Sequence, residues 1–482
     1  MTDYLSLVSD LIRQARTAGA DAADAVLVNG TSLSVASRQG KIEHLERSEG
    51  RDLGLRVFVG KRAAIVSSTS LDPAGFASLV ERAVAMAKVV PEDPFTGLAE
   101  TWAPPDAVDL DMADPAEPTP DALAARAAAA EEAAYSVHGV TNSEGAEAGY
   151  GRNEIVLVTS AGFAGRRIGT SHSISATALA GAGTEMQRDY DYHSTVYFAD
   201  LDDPTKIGKS AGERAIARLN PTRPKTAKIP VIFDPRVAGG LLGHLAGAIN
   251  GVGVALGTSF LKEKLHQRIF APGINIHDDP RRVRGLRSRV FDGEGTPTQA
   301  RTLIENGVLT TWLLDSRSAR QLGMTSTGHA SRGTGGPPSP STTNLYLAAG
   351  AVTSRELMAD ITEGLYITEM IGMGVNGVTG DYSRGAAGFM IRDGALAEPV
   401  AEVTVAGNLV DMFANMVAAS DLVFRRGTDS PTVRIDGLTM AGGSRGGRNQ
   451  PSGRPQSAVG AAANHSGLPR FITLGNEYGS LP

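Results

Sequence analysis

Residues 237–257, VAGGLLGHLAGAINGVGVALG, contain no charged side chain and carry glycine at 239, 243, 247 and 251. A short apolar strand, Ile229–Phe233, precedes them, and Asp234 stands where a helix N-cap belongs. Glycine at every fourth position lines one helix face, which predicts a ridge smooth enough for another element to lie close against it. The expectation is a helix over 234–250, buried against a sheet, with Gly243 and Gly247 at a tight contact. A membrane span is the competing reading, because the stretch is long enough and Gly-x-x-x-Gly packs helices in lipid. Its glycine content, the interruptions at His244 and Asn250 and the lack of a second such stretch favour a buried helix and no membrane partner.

The chain has 482 residues, room for two or three domains. Cysteine is absent, which excludes disulfides, thiolate zinc sites and a cysteine nucleophile. A net charge of −6 argues against direct nucleic-acid binding, since phosphate contacts need a basic face. The opening MTDYLSLVSDLIRQAR is amphipathic, carries Asp3 and Asp10 and has no apolar signal core. A cytoplasmic location is the expectation.

Apolar residues at 5, 8, 11, 12 and 15 predict a helix over Tyr4–Ala18. Short strands follow at 25–28, 32–37, 42–47, 53–59 and 63–69, with hairpin turns at Gln39-Gly40 and around Gly60. A helix is expected from Asp72 to about Val90, then an acidic, proline-rich connector over Pro91–Pro120. Thr119-Pro120-Asp121 starts a further helix, with proline at its first position and an acid in its first turn. A strand-rich block spans 146–198 and a helix 206–219; Pro221, Pro224 and Pro230 then mark a boundary. Beyond the glycine-rich helix, a further helical turn or two is expected over 258–265 and helices over 354–364 and 409–418. Asn306-Gly307 and Asp393-Gly394 are hairpin signals. The whole reads as α+β in two domains: 1–224 with a curved antiparallel sheet and flanking helices, and 225–441, β-rich around the buried helix. Residues 442–482, rich in Gly, Ser, Arg, Pro and Ala, read as a disordered tail.

Candidate chemistry is sparse. Gly372-x-Gly374-x-x-Gly377 has the letters of a dinucleotide fingerprint, but VTGDYSRGAAG follows it and cannot supply the helix that holds a pyrophosphate. Gly442-Gly443-Ser444-Arg445-Gly446 has the letters of a nucleophile elbow but sits in the low-complexity tail. Asp189, Asp191 and His193 alternate in RDYDYH, so a strand would put all three on one face, where they could ligate a metal. The favoured reading is a polar, solvent-facing side opposite Tyr190 and Tyr192. His277-Asp278-Asp279-Pro280 reads as a turn. A catalytic zinc needs three protein ligands, an open position and a base, and no closely spaced histidine pair with an adjacent glutamate occurs here.

The segment GMGVNGVTGDYSRGAAGFMI (372–391), with VAEVTVAGNLVDMFANMVA (400–418), closely resembles the TldD/PmbA family, and its PmbA (TldE) branch in particular. LLGHLAGAINGVGVALGTSFLKEKL (241–265), EMQRDYDY (185–192) and GRDLGLRVFVG (50–60) resemble the same branch, so the similarity covers about residues 5–441. The resemblance implies one half of a cytoplasmic two-subunit zinc protease that trims or degrades small unfolded peptides. In that family the TldD-type subunit bears His-Glu-x-x-x-His on a helix, and a later cysteine completes the zinc site. Ungapped comparison sets Leu242 and Gly243 at the first His-Glu pair, Gly247 at the second histidine and Ala387-Gly388 near the cysteine. The chain is therefore expected to hold no zinc or other cofactor and to pair with a TldD-type subunit that holds the zinc, or with a second copy of itself when alone. A dimer through the C-terminal domain is expected. The 333–340 loop and the 372–388 segment would line a shared peptide chamber with His244, Gly374, Asn376, Asp381 and Arg384. Two alternatives stand beside this reading: an autonomous metallopeptidase using Asp189, Asp191 and His193, and a protein-binding modulator of DNA gyrase.

Overall fold

The computed structural model describes residues 3–100 and 108–442. The expected tail, the serine of the elbow-like pattern and part of the proline-rich connector lie outside them. Helix α1 (Tyr4–Thr17) starts at Asp3, whose carboxylate accepts the Ser6 N–H, and buries Val8, Leu11, Ile12 and Ala15. The strands β1 (Ala22–Arg38), β2 (Lys41–Val59) and β3 (Arg62–Ser68) follow, then α2 (Phe76–Val89) and α3 (Pro120–Tyr135). After them come β4 (Val140–Thr159), β5 (Ala164–Ala180), β6 (Gln187–Thr195) and α4 (Pro204–Ala217). The strands form one antiparallel sheet in the order β3-β2-β1-β4-β5-β6.

Strands expected to be short are long. Residues 25–28 and 32–37 belong to one strand, as do 42–47 and 53–59. The polar interruptions are not turns: Asn29 and Gly30 pair with Arg51 and Gly50 and carry the register through. The turn lies farther on, at Gln39 and Gly40, where φ is +52° and +70°, the geometry of a two-residue hairpin loop.

All four helices cover the same face. On β1 the odd-numbered Ala23, Ala25 and Leu27 pack with α1 and α2, and Leu33 and Val35 pack with α3 and α4. The α3–α4 contact is close. A Cβ at Gly208 would run into the backbone carbonyl of Ala130, so Gly208→Val is expected to destabilise the fold by about 1–3 kcal/mol, read as a lower urea midpoint. The opposite face of β1 turns to the C-terminal half, where Val26 and Leu157 pack with Phe163, and Phe163 meets Phe291 edge-on.

The C-terminal half opens with β7 (Ala227–Phe233), α5 (Pro235–Ala248) and α6 (Gly251–Ala255). Next come β8 (Ile276–Asp278), β9 (Arg301–Glu305), β10 (Val308–Leu309), α7 (Ser316–Gln321), β11 (Ala330–Ser331), β12 (Ser339–Pro340), β13 (Leu345–Leu347) and α8 (Ser354–Met358). The chain ends its described course with β14 (Glu363–Ile371), β15 (Asp381–Arg392), β16 (Ala395–Asn408), α9 (Leu409–Ala414), β17 (Met416–Ala418), β18 (Thr428–Asp429) and β19 (Val433–Gly442). The order β16-β15-β14-β7-β19-β17, with β16 also paired to β19, closes a ring of strands. A second sheet runs β10-β9-β8-β13-β18. The architecture is α+β, as the sequence pattern implies.

Three helical expectations shrink. Residues 258–265 form hydrogen-bonded turns and no helix. The helices at 354 and 409 stop at Met358 and Ala414, and short turns then lead into β14 and β17. No helix among the described residues is long and apolar enough to cross a membrane.

The glycine-rich helix differs from its expectation in a more consequential way. Asn250 ends α5 and caps α6, its side chain accepting the Val252 N–H at 3.0 Å. The buried face of α5 is Ala238, Leu241, Leu242, Leu245 and Ala248. Gly243 and Gly247 lie on the exposed face, with open space where a Cβ would stand. The tight-contact expectation was wrong. The large apolar residues took the inside, and the glycines were left facing out. Only the ends of the ridge touch anything: a Cβ at Gly239 would meet Thr428, and one at Gly251 would meet Leu314.

Candidate functional site

Asp234 fixes the start of α5. One carboxylate oxygen accepts the Arg236 N–H at 2.9 Å, and the other accepts the Tyr366 hydroxyl from β14 at 2.9 Å. Pro235 occupies the first helical position, where its missing N–H is no loss. The helix therefore springs from the end of β7 at a set angle and presents Gly240, Gly243 and Gly247 outward. No side chain interrupts that stripe. Residues Gly243 and Gly247 sit in a helix interior without contacts, so Gly243→Ala and Gly247→Ala are each expected to raise stability by up to about 1 kcal/mol. A higher melting temperature checks this.

His244 lies beside the stripe. Its ring stands edge-on to Tyr382, with centroids 5.8 Å apart. Burial, and then the Arg384 guanidinium, lower its pKa, so the imidazole is neutral at neutral pH. Its Nε2 is buried without a hydrogen-bond partner among the described residues. Tyr382 is buried, which pushes its hydroxyl up to about 12.

Beyond Tyr382 the 372–381 loop closes on itself. Ser383 N–H donates to the Gly374 carbonyl at 2.7 Å, and a Cβ at Gly374 would strike the Ser383 carbonyl. Asn376 Oδ1 accepts the Val378 N–H at 2.9 Å, and Asp381 accepts from Thr379 and Asn408 at 2.7 and 3.2 Å. The side chains of Asn376 and Asp381 are thus engaged in shaping the loop. Arg384 Nε donates to the Gly372 carbonyl at 2.8 Å and hangs over Gly240. The loop lines a depression of ≈ 550 Å³ with Met373, Val375, Tyr382 and Ser383. It leads from β14 to β15, not into a helix, so the fingerprint letters at 372–377 carry no dinucleotide site. The 333–340 loop reaches the start of α6 through Asn250, whose Nδ2 donates to the Pro340 carbonyl at 2.9 Å. Gly333, Gly335 and Gly336 there have open space around them.

The positions set against zinc ligands do not form a donor set. Leu242 faces the core at 1% exposure. Gly243 and Gly247 share the outer face but have no side chain, and Ala387 is buried on β15 opposite Glu369. Chemically these residues do not fit a zinc ion. Among the described residues no group of three or more His, Asp or Glu is gathered as a metal would need.

The Asp189, Asp191 and His193 face of β6 is not solvent-facing, contrary to the favoured reading. Asp189 is 2% exposed and accepts two hydrogen bonds from Arg236 of α5, at 2.6 and 3.1 Å, with Arg218 at 3.5 Å. Burial works to raise the Asp189 pKa, but the arginines outweigh it and the net shift is downward. Asp191 pairs with Arg214 at 3.2 Å, and His193 Nδ1 accepts the Asp202 N–H at 3.1 Å. Each carboxylate is committed to an arginine. The alternation on one face was legible; what the face meets was not. His277–Pro280 divides likewise. Asp279 caps the expected turn, its side chain accepting the Arg281 N–H at 2.9 Å. Asp278 is a fully buried anchor that accepts from Thr343 N and Oγ1 at 2.7 and 2.6 Å and pairs with His329 Nε2 at 3.1 Å. His329, unnoticed in the sequence, is buried with it.

Three family profiles match the chain in order: the PmbA/TldA metallopeptidase domain 1 over residues 23–87, central domain over 113–219 and C-terminal domain over 226–442. Metalloprotease PmbA of Escherichia coli O157:H7 is 37% identical over 88% of this chain and 92% of its own length. This chain belongs to the PmbA/TldD family. A metalloprotease PmbA homolog of Haemophilus influenzae is 35% identical over 90% of this chain and 95% of its own. Among solved structures, a proposed modulator of DNA gyrase from Bacteroides thetaiotaomicron superposes with a TM-score of 0.84 at 27% identity, covering 92% of this chain and 99% of that one. TldE of Thermococcus kodakarensis shares the fold, with a TM-score of 0.80 at 21% identity over 90% of this chain and all of that one.

Proposed function

We propose that the chain is the non-catalytic, PmbA/TldE-type subunit of a cytoplasmic, heteromeric zinc metallopeptidase that acts on small unfolded peptides. One observation carries the reading: α5 presents Gly243 and Gly247 to open space and Leu242 to the core, so no donor stands where zinc would be held. The TldD-type partner supplies the metal and the base. This subunit supplies half of a chamber, with a side-chain-free helix stripe, the open 333–336 glycines and the 372–381 loop. Such a surface takes an extended backbone without selecting its side chains. Titrating the partner with this chain while following cleavage of an unfolded peptide tests the role. Activity that rises to a one-to-one ratio supports it, and activity of the partner indifferent to this chain counts against it. The gyrase reading rests on the description of the Bacteroides thetaiotaomicron structure and on no feature of the site, and the autonomous peptidase loses its candidate carboxylates, Asp189 and Asp191, to arginines.

A further inference from the structure

Asparagine is followed by glycine at four places in the chain: 29–30, 250–251, 306–307 and 376–377. Such a step can modify itself. The glycine nitrogen bonds to the asparagine Cγ, the Cγ–Nδ2 bond breaks, and Nδ2 leaves as ammonia with the proton of the glycine amide. The product is a five-membered succinimide. Water then opens the ring. Addition at Cγ gives aspartate; addition at the main-chain carbonyl carbon gives isoaspartate, in which the chain runs through the former side chain. Glycine permits the attack because no Cβ crowds its nitrogen. The attack needs a glycine N–H with no other duty and a side-chain amide that nothing holds.

Three of the steps are closed. Gly30 lies within β1 and is paired on both sides, with Gly50 and Asn153, so its N–H belongs to the sheet ladder. Gly251 N–H donates to the Leu313 carbonyl at 2.8 Å, and Asn250 Nδ2 is held by Pro340. Gly307 N–H donates to the Ile274 carbonyl at 2.8 Å.

The fourth step is open. Asn376 and Gly377 are exposed in the 372–381 loop. Among the described residues neither the Gly377 N–H nor Asn376 Nδ2 has an acceptor, and the space beside the Gly377 Cα is empty. The rest of the loop holds the reacting carbonyl in place. Asn376 Oδ1 accepts the Val378 and Thr379 N–H groups at 2.9 and 3.3 Å. Both donors are aimed at the oxygen on which negative charge develops as Cγ is attacked. The Asn376 main chain is tied as well: its N–H donates to the Asp381 carbonyl at 2.9 Å and its carbonyl accepts the Gly380 N–H at 2.8 Å.

We propose that Asn376-Gly377 is a self-modification site, at which the folded chain passes through a succinimide to isoaspartate and so reshapes the depression that the loop lines. Isoaspartate inserts a methylene into the main chain between two fixed points. One is the Gly380 bond to residue 376, and the other is the Phe260 N–H bond to the Gly377 carbonyl at 3.0 Å. Both bonds must shift. The proposal does not rest on the subunit role above.

The test is to age the full-length chain in mildly alkaline buffer and map its peptides by mass spectrometry. Asn376 is expected to be lost at least about ten times faster than Asn250 or Asn306, whose glycine N–H must first give up a buried hydrogen bond. Isoaspartate is expected among the products. In urea the four steps are expected to react alike. Gly377→Ala, which fits the open space, is expected to suppress the loss at 376 in the folded chain. Amide exchange at Phe260 and Gly380 is expected to quicken in the aged chain and to stay at the parent rate in Asn376→Asp, whose carboxylate keeps the Val378 and Thr379 bonds. Equal loss at 250, 306 and 376 in the folded chain overturns the proposal. So do a preference for 376 that survives in urea, loss at 376 as aspartate alone, and unchanged exchange in the aged chain.

Discussion

Purified alone, the chain is expected to bind no stoichiometric zinc and to cleave no unfolded peptide; with a TldD-type partner, peptidase activity is expected to appear and to vanish on chelation. The ground is the chemistry of peptide hydrolysis. A zinc ion brings the pKa of its bound water from 15.7 down to about 7, and without such an ion a neutral side chain has no comparable nucleophile to offer. Leu242, Gly243, Gly247 and Ala387 can hold no cation. His244 is a single imidazole whose Nε2 is enclosed, held neutral by burial and by Arg384. His244→Ala is accordingly expected to leave the activity of the pair largely intact. Metal analysis decides the matter. About one zinc per isolated chain, lost when Asp189, Asp191 and His193 are replaced together, would return the function to an autonomous hydrolase.

The parts of the fold that were legible in the sequence are those with local causes. Asp3, Thr119 and Asp234 cap the helices that their positions announce. Asn306-Gly307 and Asp393-Gly394 make their hairpins, each with positive φ at both residues. What the local pattern could not show was the partner on the far side of each element. Asn29-Gly30 looks like a break until Arg51-Gly50 is laid beside it. The glycine ridge of α5 marks one face of the helix correctly. Whether that face turns in or out is decided by the leucines competing for the core, and three of them, at 241, 242 and 245, took the inside.

The candidate site divides along the same line. That α5 carries a single histidine and no acid could be read from the letters, because composition needs no geometry. The role of the 189–193 face could not. Its acids find their arginines at 214, 218 and 236, on α4, just after it and on α5, and no spacing rule links them. Asn376 and Asp381 line the depression beside their loop and also tie that loop to itself, a second task that the letters did not show.

Arg236→Ala is expected to cost about 3–5 kcal/mol, the penalty for leaving a buried carboxylate without its partner. Asp189 is 2% exposed, and both Arg236 bonds to it cross from the C-terminal half to the N-terminal sheet. Arg218 stays at 3.5 Å but is shared with Glu369 at 2.6 Å, which places the loss toward the lower end of that range. The pH dependence carries a definite sign. Burial raises the Asp189 pKa and the arginines lower it further, so the folded value lies below the unfolded one. The pair's contribution is therefore fully present above the unfolded carboxylate pKa of about 3.9 and is lost as pH falls through the folded value. Urea titrations at neutral pH should show the full deficit of Arg236→Ala, and the gap between variant and parent should narrow below about pH 4. Replacing both partners by apolar residues, Asp189→Leu with Arg236→Met, removes the orphaned charge and should recover most of the loss. A single variant as stable as the parent, or a double variant worse than the single, would mean that the two halves are joined elsewhere. The candidate would then be the buried Asp24 carboxylate, which pairs with Arg56 of its own sheet and with Arg332 across the same boundary.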